Sequence, residues 1–247
     1  MAEPDYLTRQ RTFWKVARAD EARFDRVDTR TDRTEESWQA LVDIDAEHVF
    51  GDIRLPSEAT VLELGCGIGR MLAKARQLFP TDVRLVGVDI SESMIQFARQ
   101  STAGMSNVSL LVTDGSHLQM VADGSVDYAY SLHVFIHIAD AVVVRSYLRE
   151  FHRVLRRGAR LRFNTRRLNL WDGFAWSPGG LAIRLAYLSG LRRSGQNQWR
   201  TGDPAEFNGF YWRPRDLRRE VESAGFSVQR IDARYDAQEL WCDAVKL

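Results

Sequence analysis

Disulfide scaffolds, metal fingers and membrane spans are all missing from this chain. Its 247 residues include only two cysteines, Cys66 and Cys242, too few for a disulfide framework and not at zinc spacing. No apolar run approaches the roughly eighteen residues that a membrane helix needs. The N-terminus has no charged-then-apolar leader, so a cytoplasmic location is expected. An excess of charge of one sign is lacking too: the formal net charge of +1 gives no global pull toward nucleic acid or a membrane surface. What is present is globular, 45% hydrophobic and 27% charged, long enough for one good core and read as a single α/β domain with additions. Charge is nevertheless uneven. From Phe151 to Arg200 the only acid is Asp172, against eleven arginines, either a solvated face or a basic rim for an anionic substrate.

The chain is organised around Val61-Leu-Glu-Leu-Gly-Cys-Gly-Ile-Gly-Arg70. An apolar strand candidate meets three glycines on alternate positions, Gly65, Gly67 and Gly69, and a helical pattern begins at once. That is the opening of a nucleotide-type α/β unit. Glycine serves where backbone turns sharply or must lie close to a ligand, and the helix N-terminus behind it offers unpaired N–H groups. Cys66 is read as a small packing residue within this loop. The spacing departs from the dinucleotide fingerprint G-x-G-x-x-G. Here the third glycine comes one residue early, and Arg70 stands where that fingerprint has Gly or Ala.

Further strand candidates follow in order, Val83–Val88, Val108–Thr113, Val126–Ser131 and Ala159–Asn164, with helices between them. Asp89 ends the second strand about twenty residues past the glycines, where an acid accepts ribose hydroxyls. Its bland alternative is a helix N-cap. Asp114-Gly115 ends the third strand, and there a plain turn is the alternative. After Arg215–Ala224, read as a helix, Phe226–Tyr235 and Glu239–Lys246 are expected to form a closing hairpin.

The G-x-G-x-G loop with Glu63 two residues before it resembles motif I of the class I S-adenosylmethionine-dependent methyltransferases. Asp89, Asp114 and the antiparallel last strand fall in the order of that superfamily. The resemblance implies a doubly wound, mostly parallel seven-stranded α/β sheet with an antiparallel last strand, N-terminal helices and an inserted helical, aromatic cap. It divides the chain into an N-terminal helical cap segment, 1–57, a cofactor-binding core, 58–166 and 213–247, and an inserted substrate cap, 167–212. The cofactor implied is S-adenosyl-L-methionine. It is expected at Glu63, Gly65, Cys66, Gly67 and Gly69, with Asp89 on the ribose beside Ile90, Met94 against adenine, Asp114 and Gly115 at the adenine amine, and Ser131 leading into the loop beneath the sulfonium.

That loop reads Ser131-Leu-His-Val, unlike amino-methylating DNA enzymes, and no cysteine stands there for methylation of base carbon. His133 is the candidate general base. His133 and His137 are four apart, a spacing that fits a metal on a helix, but neither a Glu nor a third ligand accompanies them, so no metal is expected. His137-Ile-Ala-Asp resembles a structural turn of the family. Helices ahead of the first strand close over the cleft in this superfamily, which brings Trp14 and Trp38 to a substrate wall. A long aromatic insertion between strands is more often a lid than a neutral loop. The acceptor contacts expected are therefore Trp14, His137, Trp176, Tyr211, Trp212 and Arg166.

The expected function is methyl transfer from S-adenosylmethionine to a small-molecule acceptor, at oxygen and carrying an anionic group. N-methylation, a protein or nucleic-acid acceptor, and a catalytically silent cofactor-binding subunit remain the alternatives. The sequence leaves the oligomeric state open.

Overall fold

Thr60–Leu64 is buried at every position, the mark of a strand covered on both faces. The computed structural model describes residues 5–18, 20–22, 32–168, 194–196, 209–233 and 238–247, and places this strand, β1, at the middle of the sheet. In chain order its elements are α1 (Tyr6–Phe13), α2 (Glu35–Phe50), β1, α3 (Arg70–Leu78), β2 (Arg84–Asp89), α4 (Glu92–Ser101), β3 (Val108–Val112), β4 (Val126–Ser131), α5 (Ala141–Val154), β5 (Leu155–Arg167), β6 (Gly195–Gln196), β7 (Phe210–Trp212), α6 (Pro214–Ser223), β8 (Phe226–Asp232) and β9 (Glu239–Lys246).

The strands β3-β2-β1-β4-β5 lie side by side and parallel. β9 runs antiparallel between β5 and β8. These seven strands are the expected doubly wound sheet with its antiparallel last strand, and β7 beside β5 and β6 beside β7 extend it to nine. Alternation along the pleat sends side chains to two cores. Leu62, Leu64, Ala129, Leu161 and Phe163 meet α5 and α6 on one face. Val61, Leu85, Tyr128 and Tyr130 meet α2 and α3 on the other.

The surplus of arginine along α5 and β5 is matched by acids from elsewhere. Arg153 pairs with Glu150 and Asp123, Arg156 with Asp127, and Arg160 with Asp52. Arg162, buried in β5, pairs with Asp243 and Asp52 and donates to the His48 and Val49 carbonyls at 2.9 and 3.0 Å. Those carbonyls end α2, where a cation is favoured. Burial raises the Asp52 carboxyl, but hydrogen bonds from Arg160 and Arg162 outweigh it and bring the group down to about 2.

Two expectations need correction. The strand expected over Ala159–Asn164 opens earlier, at Leu155, which already pairs with Val126, so α5 ends at Val154. Tyr211 and Trp212, expected in the substrate cap, instead form β7, parallel to the end of β5 through Arg166↔Tyr211 and Arg167↔Trp212. Both are buried, and Trp212 belongs to the α5-side core. Three consecutive aromatics carry no readable period, so pairing decided their place. Trp176 lies outside the described residues.

β7 also fixes the loop after β4. The Phe210 N–H donates to the Ile138 carbonyl at 2.8 Å. A Cβ on Gly209 would stand 2.2 Å from the Ile136 carbonyl oxygen and 2.5 Å from its carbon. Backbone cannot give way as a side-chain tip does. Gly209→Ala is therefore expected to cost about 1–3 kcal/mol, the usual range for overpacking. Urea denaturation checks this, and unchanged stability would show that the approach is relaxed in solution.

Candidate active site

At the carboxyl ends of β1 and β2 the backbone of the glycine loop is tied down strand by strand. The Gly65 and Cys66 N–H groups both donate to the Val88 carbonyl, at 2.7 and 3.0 Å, and the Gly69 N–H to the Cys66 carbonyl at 2.8 Å. Gly65 has φ +74°, and a Cβ there would fall 2.0 Å from Val134 Cγ2. The loop thus touches the segment after β4 with no room for a side chain. Gly69, at φ +81°, caps α3 with no side-chain partner, leaving the first-turn N–H groups of that helix toward the cleft.

Asp89 closes this arrangement. Its Oδ2 accepts from the Gly67 N–H at 2.9 Å and its Oδ1 from the Ser91 N–H at 2.8 Å. A carboxylate has about four acceptor positions, so both oxygens keep capacity for a diol. Burial pushes the Asp89 carboxyl up to about 6, against the pull of those N–H groups. Glu63 is more strongly affected. Burial raises it to about 8, although the Tyr130 hydroxyl donates to it at 2.9 Å and Arg70 lies near.

A carboxyl whose folded value exceeds its unfolded one stabilises the fold fully below the unfolded value and loses that contribution as pH climbs through the folded one. For Glu63 that window runs from 4.5 to about 8, and Asp89 adds in the same sense from 3.8 to about 6. The unliganded protein should therefore lose melting temperature as pH rises through neutrality, and Glu63→Gln should flatten the fall. A Glu63→Gln protein with the wild-type slope would refute this.

These groups line one cavity with the residues that cover it. α1 and the residue after it supply Tyr6, Leu7, Gln10 and Trp14, the loop after β4 supplies Leu132, His133, Val134, His137 and Ile138, and α5 supplies Val143 and Tyr147. α1 is pinned there from both sides. The Ala139 N–H donates to Tyr6 Oη at 2.9 Å, and Ser91 Oγ donates to the Trp14 carbonyl at 2.8 Å. Trp14 meets the His137 ring edge-on with centroids 5.1 Å apart. Below the loop, Arg70 pairs with Asp45 of α2 at 2.6 Å and lies over the Trp38 ring, 5.8 Å from its centroid. Trp38 thus supports Arg70 and does not line the cavity.

Comparison with known proteins bears on this geometry. Residues 61–158 match the methyltransferase domain family. An uncharacterized 37.1 kDa protein in transposon Tn4556 of Streptomyces fradiae is 36% identical over 106 residues, 43% of this chain and 29% of that protein. Demethylmenaquinone methyltransferase of Staphylococcus aureus is 30% identical over 113 residues, 45% of each. The matched stretch thus spans less than half of either relative. Among solved structures, geranyl diphosphate C-methyltransferase of Streptomyces coelicolor A3(2), in complex with Mg2+, geranyl-S-thiolodiphosphate and S-adenosyl-L-homocysteine, superposes with a TM-score of 0.67 at 14% identity, covering 99% of both chains. A SAM-dependent methyltransferase from Aquifex aeolicus has a TM-score of 0.57 at 18% identity, covering 85% of this chain and 96% of its own. At such identities the likeness is one of fold. Residues 61–158 thus match a methyltransferase domain, and the fold around them is the one that these solved methyltransferases share.

Within this fold the site expectations fall into two main groups. Glu63, Gly65, Cys66, Gly67, Asp89, Ile90, Met94, Gly115, Trp14, His133 and His137 share the cavity wall. Four others stand apart from it. Ser131 Oγ donates to the Leu64 carbonyl at 3.0 Å and ties β4 to β1. Gly69 turns the chain into α3. Arg166 donates to the Ile136 carbonyl at 3.3 Å. Asp114 lines a neighbouring pocket that shares Ile90 and Thr113 with this cavity, and its carboxylate accepts from the Ser116 and His117 N–H groups, both at 2.8 Å, and meets His117 Nδ1 at 2.7 Å. It closes its own turn outside the cavity, as a short acid beside free N–H groups tends to do.

Sequence reasoning missed Gln10, Tyr6 and Tyr147 of the cavity wall, and Asn164 and Glu239 behind His133. No motif marks them, because they are scattered over α1, α5, β5 and β9. Arg70 did carry a signal, as a large cation where the dinucleotide pattern has a small residue.

Proposed function

We propose that this protein transfers a methyl group from S-adenosylmethionine to a small acceptor, at oxygen. The observation that carries this reading is a single cavity walled both by the glycine loop with Asp89 and by His133. The cofactor suits these residues: the Asp89 carboxylate for a ribose diol, the tightly turned backbone of Gly65–Gly69, and the N-terminus of α3. Superfamily members solved with S-adenosylhomocysteine support the same assignment.

When bound, S-adenosylmethionine supplies a methyl group already activated by a sulfonium. The protein's work is then alignment, exclusion of water and removal of the acceptor's proton. Gly65 against Val134 sets the distance between the cofactor loop and the acceptor loop. Tyr6, Leu7 and Trp14 cover the cavity. His133 takes the acceptor's hydroxyl proton. The acceptor is a small molecule with apolar surface, since among the described wall residues the carboxyl groups of Glu63 and Asp89 and the guanidinium of Arg70 all border the glycine loop. An anionic group on it has less support, because Arg145, Arg153, Arg156, Arg160 and Arg162 of α5 and β5 are ion-paired. Arg166, at the end of β5, is the candidate contact for such a group, and rising salt should then raise KM.

Calorimetry with S-adenosylhomocysteine and with NAD tests the cofactor. Labelled methyl transfer into a metabolite extract, followed by mass spectrometry, identifies the acceptor. Binding of NAD but not S-adenosylhomocysteine would overturn the proposal. Among the described residues no helix is long and apolar enough to cross a membrane.

A further inference from the structure

His133 stands in an unusual place for its residue type. Its φ is +58°, the left-handed region that non-glycine residues occupy sparingly and that needs support from its surroundings. Asn164 gives that support. Fully buried on β5, it accepts from the His133 N–H through Oδ1 at 2.7 Å. The other end of the same amide donates from Nδ2 to Glu239 Oε2 at 2.7 Å. Glu239 opens β9, opposite Arg166, while Asn164 lies opposite Trp241. Residues two apart on a strand share a face, so the pairing of the antiparallel last strand brings this carboxylate over Asn164. Glu239 Oε2 is then 3.8 Å from His133 Nε2, with side chains only 10% and 16% exposed.

A buried carboxylate and a buried amide are costly unless they are paired. Holding one loop backbone requires only the amide. Glu239 adds a carboxylate that lies beside the imidazole.

We propose that Glu239 is a positioning residue for His133: through Asn164 and its own carboxylate it fixes the imidazole with Nε2 protonated and Nδ1 as the proton acceptor. This rests on the reading of His133 as base. As the methyl–oxygen bond forms and the sulfur–methyl bond breaks, sulfur keeping the electron pair, the hydroxyl proton of the acceptor passes to Nδ1. The imidazolium so formed is balanced by the Glu239 carboxylate until its proton leaves to water. An opposite charge within about 4–6 Å commonly moves a titration by 1–3 pH units toward the charged form.

Among the described residues the other ionisable groups of the same cavity are Glu63 from β1, Cys66 from the glycine loop, Asp89 from β2, Arg70 from α3, His137 from the same loop, Tyr6 from α1 and Tyr147 from α5, and Arg166 of β5 stands opposite Glu239. All are retained in a Glu239→Gln protein, so a difference between the two proteins reports Glu239. Glutamine also keeps an acceptor for Asn164 Nδ2 and nearly the same volume.

The test is NMR of protein labelled with 15N-histidine, with and without S-adenosylhomocysteine, the His133 signals being assigned by their loss in His133→Gln. The expected result is that His133 in Glu239→Gln titrates lower than in wild type by about one pH unit or more. An unmoved titration would overturn the proposal. The wild-type spectrum is a second test that needs no folded variant. Its neutral form should show protonation at Nε2, and protonation at Nδ1 would overturn the proposal as well. Neither reading uses turnover. A failed search for an acceptor would therefore count against the methyltransferase reading without deciding this one.

Discussion

Replacing His133 by alanine should lower kcat by roughly a hundredfold or more, toward the range of 10²–10⁴ seen when an acid–base group is lost. Affinity for S-adenosylhomocysteine should stay the same. The two effects separate because the cofactor's share of the cavity is built from β1, β2 and their loops, whereas His133 comes from the loop after β4. The measurement is labelled methyl transfer to the acceptor identified from extract, across about pH 6 to 9, since a base must be neutral to act. Near-normal kcat over that range would end the oxygen-acceptor mechanism and leave alignment alone, as suits a more nucleophilic amine. A loss of cofactor affinity alongside kcat would show instead that the left-handed turn at position 133 shapes the neighbouring glycine loop through Val134.

Asp89→Ala should abolish the thermal stabilisation given by S-adenosylhomocysteine. Two hydrogen bonds from ribose hydroxyls to a carboxylate are worth about 1.5 kcal/mol or more each, so affinity should fall by roughly a hundredfold or further. Asp89 also holds the Gly67 N–H, so the unliganded variant should melt somewhat lower as well. Asp89→Asn keeps one acceptor oxygen and should fall between the two. If the alanine protein binds with wild-type affinity, the ribose lies elsewhere and Asp89 serves only the loop and the start of α4.

Sequence legibility follows the distance between cooperating residues. Val61–Arg70 is readable because strand, turn and helix are consecutive, and each glycine answers a local demand, such as the approach of Val134 to Gly65. Asp89 could be placed because the unit has a fixed length from its loop to the tip of β2. Asp114 was readable by position along the chain, whereas its bonds to the N–H groups of Ser116 and His117 were not. The expectation for Tyr211 and Trp212 failed because aromatic composition does not distinguish a cap from a short strand, and only the pairing with β5 decides it. Asn164 and Glu239 were illegible in principle. Each is an ordinary polar residue in an apolar strand, and their meaning arises only where β5, β9 and the loop after β4 converge.

The position of β9 has a consequence for how the chain assembles. It follows both β5 and β8 in the chain yet lies between them, contacting β5 over seven residues from Arg160↔Val245 to Arg166↔Glu239. Until residues 238–247 arrive, β5 presents an open hydrogen-bonding edge, the kind of surface that recruits other chains. Pairings between residues so far apart in sequence are also slow to form. The same event that seals this edge delivers Glu239 to Asn164 and His133, so a polypeptide caught before that step would have its glycine loop in place beside a half-built partner wall.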